Sequence, residues 1–118
     1  MAVYLIVDVH VIDSDGYAEY VEKVPETVGK YGGRYLARGG HVTVLGGNWH
    51  PQRIILIEFP SRDHVQRWLA SPEYASLSPL RERSTKTRAI VVEGVAPSSA
   101  ETELSRRHVP YADFELIR

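Results

Sequence analysis

Asp8 and His10 stand two residues apart in one alternating apolar segment, and Arg34 and Arg38 stand four apart in another. Glu58 lies near the end of a third, Arg53 to Phe59. Side chains at even spacing along a strand share a face. Neighbouring strands would therefore gather two carboxylates, two guanidiniums and an imidazole on one side of a sheet, with Tyr4 and Trp49 as walls. An unpaired charge there costs several kcal/mol once buried, so the group must pair within itself or with a ligand. In the ligand reading Arg38 holds a carboxylate or enolate oxygen in its bidentate fork. Arg34, Glu58, Trp49 and Tyr4 complete the binding set, with Trp49 as a lid, and His10 or Asp8 moves the proton. An imidazole is the better acid–base group, since its ordinary pKa lies near neutrality. In the competing reading the same charges form a structural ion network, Arg38 with Glu58 or Asp8, that sets the register between two subunits.

Other chemistries find less support. His41 and His50 sit in or beside Gly-rich turns, His64 follows Asp63 in the first turn of a helix, and His108 lies near the end of the chain. No two of them share a helical face at ligand spacing, so no metal site is expected. There is no cysteine, which excludes disulfides, thiolate metal sites and thiol catalysis. The pairs Gly32-Gly33, Gly39-Gly40 and Gly46-Gly47 lack the spacing and the following helix of a phosphate cradle. No GxSxG is present to seat a hydrolase nucleophile. A net charge of −1 and the absence of the aromatic strand signature of RNA-binding modules argue against nucleic acid. The expectation is a reaction or binding event without a cofactor.

The elements that must position these residues follow in order. Val3 to Val11 alternates as a strand, with Val3, Leu5, Val7 and Val9 on one face and Tyr4, Ile6, Asp8 and His10 on the other. Asp13-Ser14-Asp15 supplies a helix start. Tyr17, Tyr20, Val21, Val24, Val28 and Tyr31 mark the helix, which Pro25 should kink or split and Gly32-Gly33 should end. Arg34 to Arg38 is a strand, and His41 to Leu45 reads as a further short strand in a small hairpin. Arg53 to Phe59 is the strongest strand, stopped by Pro60, after which Ser61 caps a helix with Val65, Trp68 and Leu69 inward. Short helical turns carry Tyr74, Leu77 and Leu80, and Arg88 to Glu93 is the last strand. The fold class is α+β, a ferredoxin-like βαββαβ antiparallel sheet. Two helices cover one sheet face only, and the other carries Tyr4, Ile6, Leu36, Ile54 and Leu56. A second copy is expected to cover it, giving a homodimer with a cavity beside the sheet.

The ordered motifs Gly32-Gly33-Arg34-Tyr35-Leu36-Ala37-Arg38-Gly39-Gly40, Trp49, Glu58-Phe59-Pro60-Ser61, Ser71-Pro72-Glu73-Tyr74 and Val91-Val92-Glu93-Gly94 resemble the DUF1330 family of domains of unknown function. The resemblance implies the dimeric α/β barrel superfamily, and with it this fold and a homodimer. Members of that superfamily include cofactor-free monooxygenases, haem-degrading enzymes and small-lactone isomerases, most of which use the cavity beside the sheet. Activity carried from them would be analogy of fold alone.

Residues 1–95 thus form one domain, and 96–118 a linker and apolar arm expected to pack on the partner subunit. The short apolar start, broken by Asp8 and His10, is neither a signal peptide nor a membrane span, and the lack of cysteine suits the cytoplasm. The functional expectation is a small-molecule-binding protein or cofactor-free enzyme. Its alternative is a non-catalytic homodimeric association module.

Overall fold

The computed structural model describes residues 1–95; the expected arm, 96–118, lies outside the described residues. The chain runs β1 (Val3–Val11), α1 (Ser14–Lys30), β2 (Arg34–Arg38), β3 (Arg53–Phe59), α2 (Arg62–Ala70), α3 (Pro72–Ala75), α4 (Ser78–Ser84) and β4 (Thr85–Glu93). The strands form one sheet in the order β2-β3-β1-β4, every neighbouring pair antiparallel. This is the ferredoxin-like arrangement, with the helices on one face.

Period-two alternation decides which side chains meet the helices. In β1, Val3, Leu5 and Val9 are buried, and in β3, Ile55, Ile57 and Phe59 are buried. Register locks the two sets together, Val3 opposite Phe59 and Leu5 opposite Ile57. Among the described residues no helix covers the opposite face of the sheet, and Ile6, Ile54 and Leu56 there keep intermediate exposure.

Helix α1 begins with the carbonyl of Asp13 accepting from the Tyr17 N–H at 3.0 Å, with no side-chain cap. Asp15 in the first turn and Lys30 in the last complement the helix dipole. The helix is not split at Pro25. Val24, Thr27 and Val28 are buried on either side of the ring, and that packing outweighs the roughly 3 kcal/mol that an interior proline costs. The end is a glycine cap. Gly32 has φ +86°, and the Gly33 N–H reaches back to the Val28 carbonyl at 2.9 Å. Gly33 is required for a second reason: a Cβ there would lie 2.7 Å from Val28 Cγ1 and 2.8 Å from the Phe59 ring.

Two expectations change. His41 to Leu45 forms no strand; residues 39–52 are irregular, and this segment pairs with none of the four strands of the sheet. And β4 starts at Thr85, not Arg88, since β1 pairs with it along its whole length, Val11 opposite Thr85. Ser61 caps α2 as expected, its hydroxyl accepting from the His64 N–H at 3.3 Å.

Glu73 ties α3 to the end of α1 through the Lys30 ammonium and the Tyr31 hydroxyl, the latter donating at 3.0 Å. The Lys30 hydrogen bond, a backbone hydrogen bond and the Tyr31 hydroxyl, in that order, lower the Glu73 carboxyl from 4.5 to about 2. A carboxyl lowered on folding stabilises the fold in full above its unfolded value, and that contribution is lost as pH falls through the folded one. Glu73→Gln is therefore expected to flatten the pH dependence of stability between 4.5 and about 2, read from urea melts across that window. An unchanged slope would show that the pair contributes nothing to folding.

Candidate functional site

Strand β2 determines where the charged residues go. Arg34 pairs with Glu58 and Tyr35 with Ile57, but Ala37 then pairs with Leu56 and Arg38 with Ile55. Leu36 is skipped, a β-bulge, and the parity of everything after it inverts. Arg34 stays on the open face. Arg38 turns to the helix side, into the row Arg38, Ile55, Val7, Ala89 that crosses all four strands. The even spacing of the two arginines therefore does not place them together, and Arg38 meets neither Glu58 nor Asp8.

The open face carries two separate ion pairs. Arg34 Nε donates to Glu58 Oε1 at 2.7 Å, and this bond, ahead of a smaller one from Tyr4 directly across the register, holds the Glu58 carboxyl down. Asp8 Oδ2 accepts from Arg88 at 2.8 Å and from Trp49 Nε1 at 3.0 Å. Those two bonds, Arg88 first, lower its carboxyl. Sequence reasoning missed Arg88; the signal was its direct position opposite Asp8 once β4 pairs with β1. His10 is exposed one step further along β1, opposite Lys86, in an open groove with Asp8, Trp49 and His50. The structure thus brings Asp8, Trp49 and Arg88 together, brings Tyr4, Arg34 and Glu58 together, and leaves His10 at the edge.

The helix side holds a different arrangement that the sequence reading did not find. A cavity of about 200 Å³ lies between the sheet and the helices. Its floor includes Leu5, Val7 and Ile55, and its far wall Val24 and Trp68. Polar groups enter from the flanks. The hydroxyls of Tyr20 and Tyr74 lie 3.4 Å apart, and burial pushes the Tyr20 phenol far up. Burial also raises the Tyr35 phenol, against the opposing pull of Arg38, whose guanidinium lies 4.8 Å over the Tyr35 ring. Arg81 donates to Thr87 Oγ1 at 2.7 Å, and its buried Nε has no partner among the described residues. No carboxylate and no imidazole lines this space. Such a lining can stabilise negative charge on a ligand oxygen and hold a phenolic proton near it. The available signal was four core-facing tyrosines, Tyr17, Tyr20, Tyr35 and Tyr74, whose hydroxyls must be accommodated somewhere.

Among the described residues no group of three His, Asp or Glu could hold a metal ion, and no helix is long and apolar enough to cross a membrane.

A family model for a domain of unknown function, DUF1330, matches residues 2–95. The chain belongs to the DUF1330 family. No curated protein matches it significantly. Solved structures similar to this DUF1330 chain agree on the fold. A protein of unknown function from Rhodopseudomonas palustris superposes with a TM-score of 0.70 at 17% identity, over 81% of this chain and 84% of that one. A dimeric ferredoxin-like protein of unknown function from Jannaschia sp. CCS1 gives 0.64 at 10% identity, over 80% and 100%. SnoaB, a cofactor-independent oxygenase from Streptomyces nogalater, gives 0.52 at 11% identity, over 83% and 95%. At these identities the DUF1330 chain shares their fold, and some of these ferredoxin-like neighbours are dimeric.

Proposed function

We propose that this DUF1330 protein is a homodimer that binds a small molecule between its sheet and its helices, as a binding protein or a cofactor-free enzyme. The observation that carries the reading is the cavity of about 200 Å³, apolar in its floor and supplied with phenols and guanidiniums at its flanks. Apolar walls with a few convergent polar groups are the usual composition of a ligand site. The oxygenase SnoaB, which needs no cofactor, lends support through the shared fold alone.

In this reading the open sheet face has a different task. Its apolar row, Leu56, Ile6 and Ile90, packs against the same row of a second copy. The pairs Asp8–Arg88 and Arg34–Glu58 flank that row and fix its register, the role of a structural ion network. Asp8 and His10 as proton carriers on this face remain the second reading, favoured by the open groove that they share with Trp49.

A titration with phenol, followed by methyl NMR, separates the two places. Binding in the cavity is expected to shift the methyl signals of Val7, Val24 and Ile55, and to leave those of Ile6 and Ile90 in place. Shifts confined to Ile6 and Ile90 would move the site to the open face, and no shift at either would overturn ligand binding.

A further inference from the structure

We infer that the helix-side cavity takes a small, largely apolar organic anion, a carboxylate or an enolate, with its charge met by Arg81 and Arg38. The inference rests on the cavity being the ligand site and adds the chemistry of what enters it.

The argument is one of charge balance. Arg38 and Arg81 both line the cavity, and among the described residues no acidic side chain does. Arg38 has no ion pair among the described residues; its guanidinium rests over the Tyr35 ring. Among the described residues Arg81 has only Glu82, 3.7 Å away, well exposed and not part of the cavity lining. The Arg81 side chain is 27% exposed, so its charge is largely withdrawn from water. Of its five N–H donors one is spent on Thr87, and its buried Nε–H has no acceptor among the described residues. A guanidinium in this state is short of an acceptor, and a ligand oxyanion is the acceptor that suits it, because planar forks match carboxylates.

The same bias extends beyond the lining. Arg53 lies 5.3 Å over the ring of Tyr17, which lines the cavity, and its buried Nε is also without a partner among the described residues. Gly39 makes room for it: with φ +72°, any Cβ there would sit 2.2 Å from the Arg53 guanidinium. The Tyr20 hydroxyl donates to that of Tyr74, which leaves the Tyr74 O–H as a neutral donor for a second oxygen.

The rest of the ligand must be apolar and small. Leu5, Val7, Val24, Ile55 and Trp68 offer it no hydrogen bond except the Trp68 N–H, which is already given to Thr27 at 3.0 Å. A volume of about 200 Å³ falls below the roughly 300–1,000 Å³ of pockets for drug-sized ligands. One ring or a short branched chain bearing an acid fits these terms.

Calorimetric titration of the full chain with benzoate and with its neutral isostere benzamide tests the inference. Benzoate is expected to bind at least tenfold more tightly than benzamide, and Arg81→Gln to bring that preference close to one, by weakening benzoate far more than benzamide. Arg38→Gln, at an exposed position where folding is not at stake, is expected to reduce the preference in part. Equal affinity for the two compounds in the wild type would overturn the anion inference and leave the cavity as a neutral site. Binding of neither compound would overturn the cavity reading along with it. An undiminished preference in both variants would also overturn the assignment to these arginines.

Discussion

Ile6→Arg is expected to convert the proposed homodimer to a monomer in solution. Ile6 sits at the centre of the open face, opposite Leu56 on one side and Ile90 on the other. Ile90 is 62% exposed in the single subunit; Val92 on the same strand is also exposed, and so is Leu36 on β2 at the other edge of the sheet. A contiguous apolar surface of this kind marks an association site. In a twofold interface the same patch serves both subunits, so each substitution is felt twice. A guanidinium placed there would find its natural partners Asp8 and Glu58 already engaged by Arg88 and Arg34. If each desolvated charge costs about 2 kcal/mol, the pair costs about 4 kcal/mol, roughly a thousandfold in the dissociation constant. Size-exclusion chromatography with light scattering reads the outcome. Leu69→Arg, on the helix layer, is the control and should remain dimeric. A dimer of unchanged mass in Ile6→Arg would mean that the subunits meet elsewhere.

Phe59→Ala is expected to be the most damaging single truncation in the core, at about 3–5 kcal/mol. Phe59 is 0% exposed. Its ring lies 5.5 Å from that of Trp68, which in turn lies 4.4 Å from that of Tyr74, so one side chain joins the sheet to α2 and α3. The edge of the same ring, together with Val28 Cγ1, excludes a side chain at Gly33. Removing it opens a void that the stiff β3 backbone cannot close. For a domain of this size the melting temperature should fall by about 15–30 °C. Urea unfolding followed by circular dichroism measures the loss, and a cost below about 1 kcal/mol would mean that the aromatic row repacks. Gly33→Ala should also destabilise on its own. Placed in the Phe59→Ala background it should cost less, because the ring is gone and only the contact with Val28 Cγ1 remains.

The order of elements was legible because each one is written in a local pattern: alternation in Val3–Val11 and Arg53–Phe59, a glycine cap after Lys30, Ser61 before α2. What was not legible depends on pairing partners. The bulge at Leu36 lies in Arg-Tyr-Leu-Ala-Arg, without the glycine that often marks such a site, so regular alternation wrongly put Arg38 beside Glu58. The partner of Asp8 is eighty residues away and becomes visible only through the β1–β4 register. The segment His41–Leu45 has the composition of a strand but pairs with no strand of the sheet, and propensity without a partner makes no ladder. The cavity was the hardest to foresee, since it is the space left after packing, and no local pattern records a void. The family resemblance, by contrast, could be read directly from the ordered glycine, proline and aromatic motifs, and it matched over residues 2–95.

The skipped residue in β2 has a consequence for comparing this chain with its relatives. Deleting Leu36 would restore regular pairing and move the Arg38 guanidinium through the plane of the sheet, from the helix side to the open side, with no amino-acid type changed. A length polymorphism of one residue at this position therefore acts like an exchange of function between two compartments. Two relatives could share every charged residue and still differ in which of them hold a cation inside. Counting residues between Tyr35 and Gly39 becomes a better guide to shared chemistry in the family than matching arginines column by column.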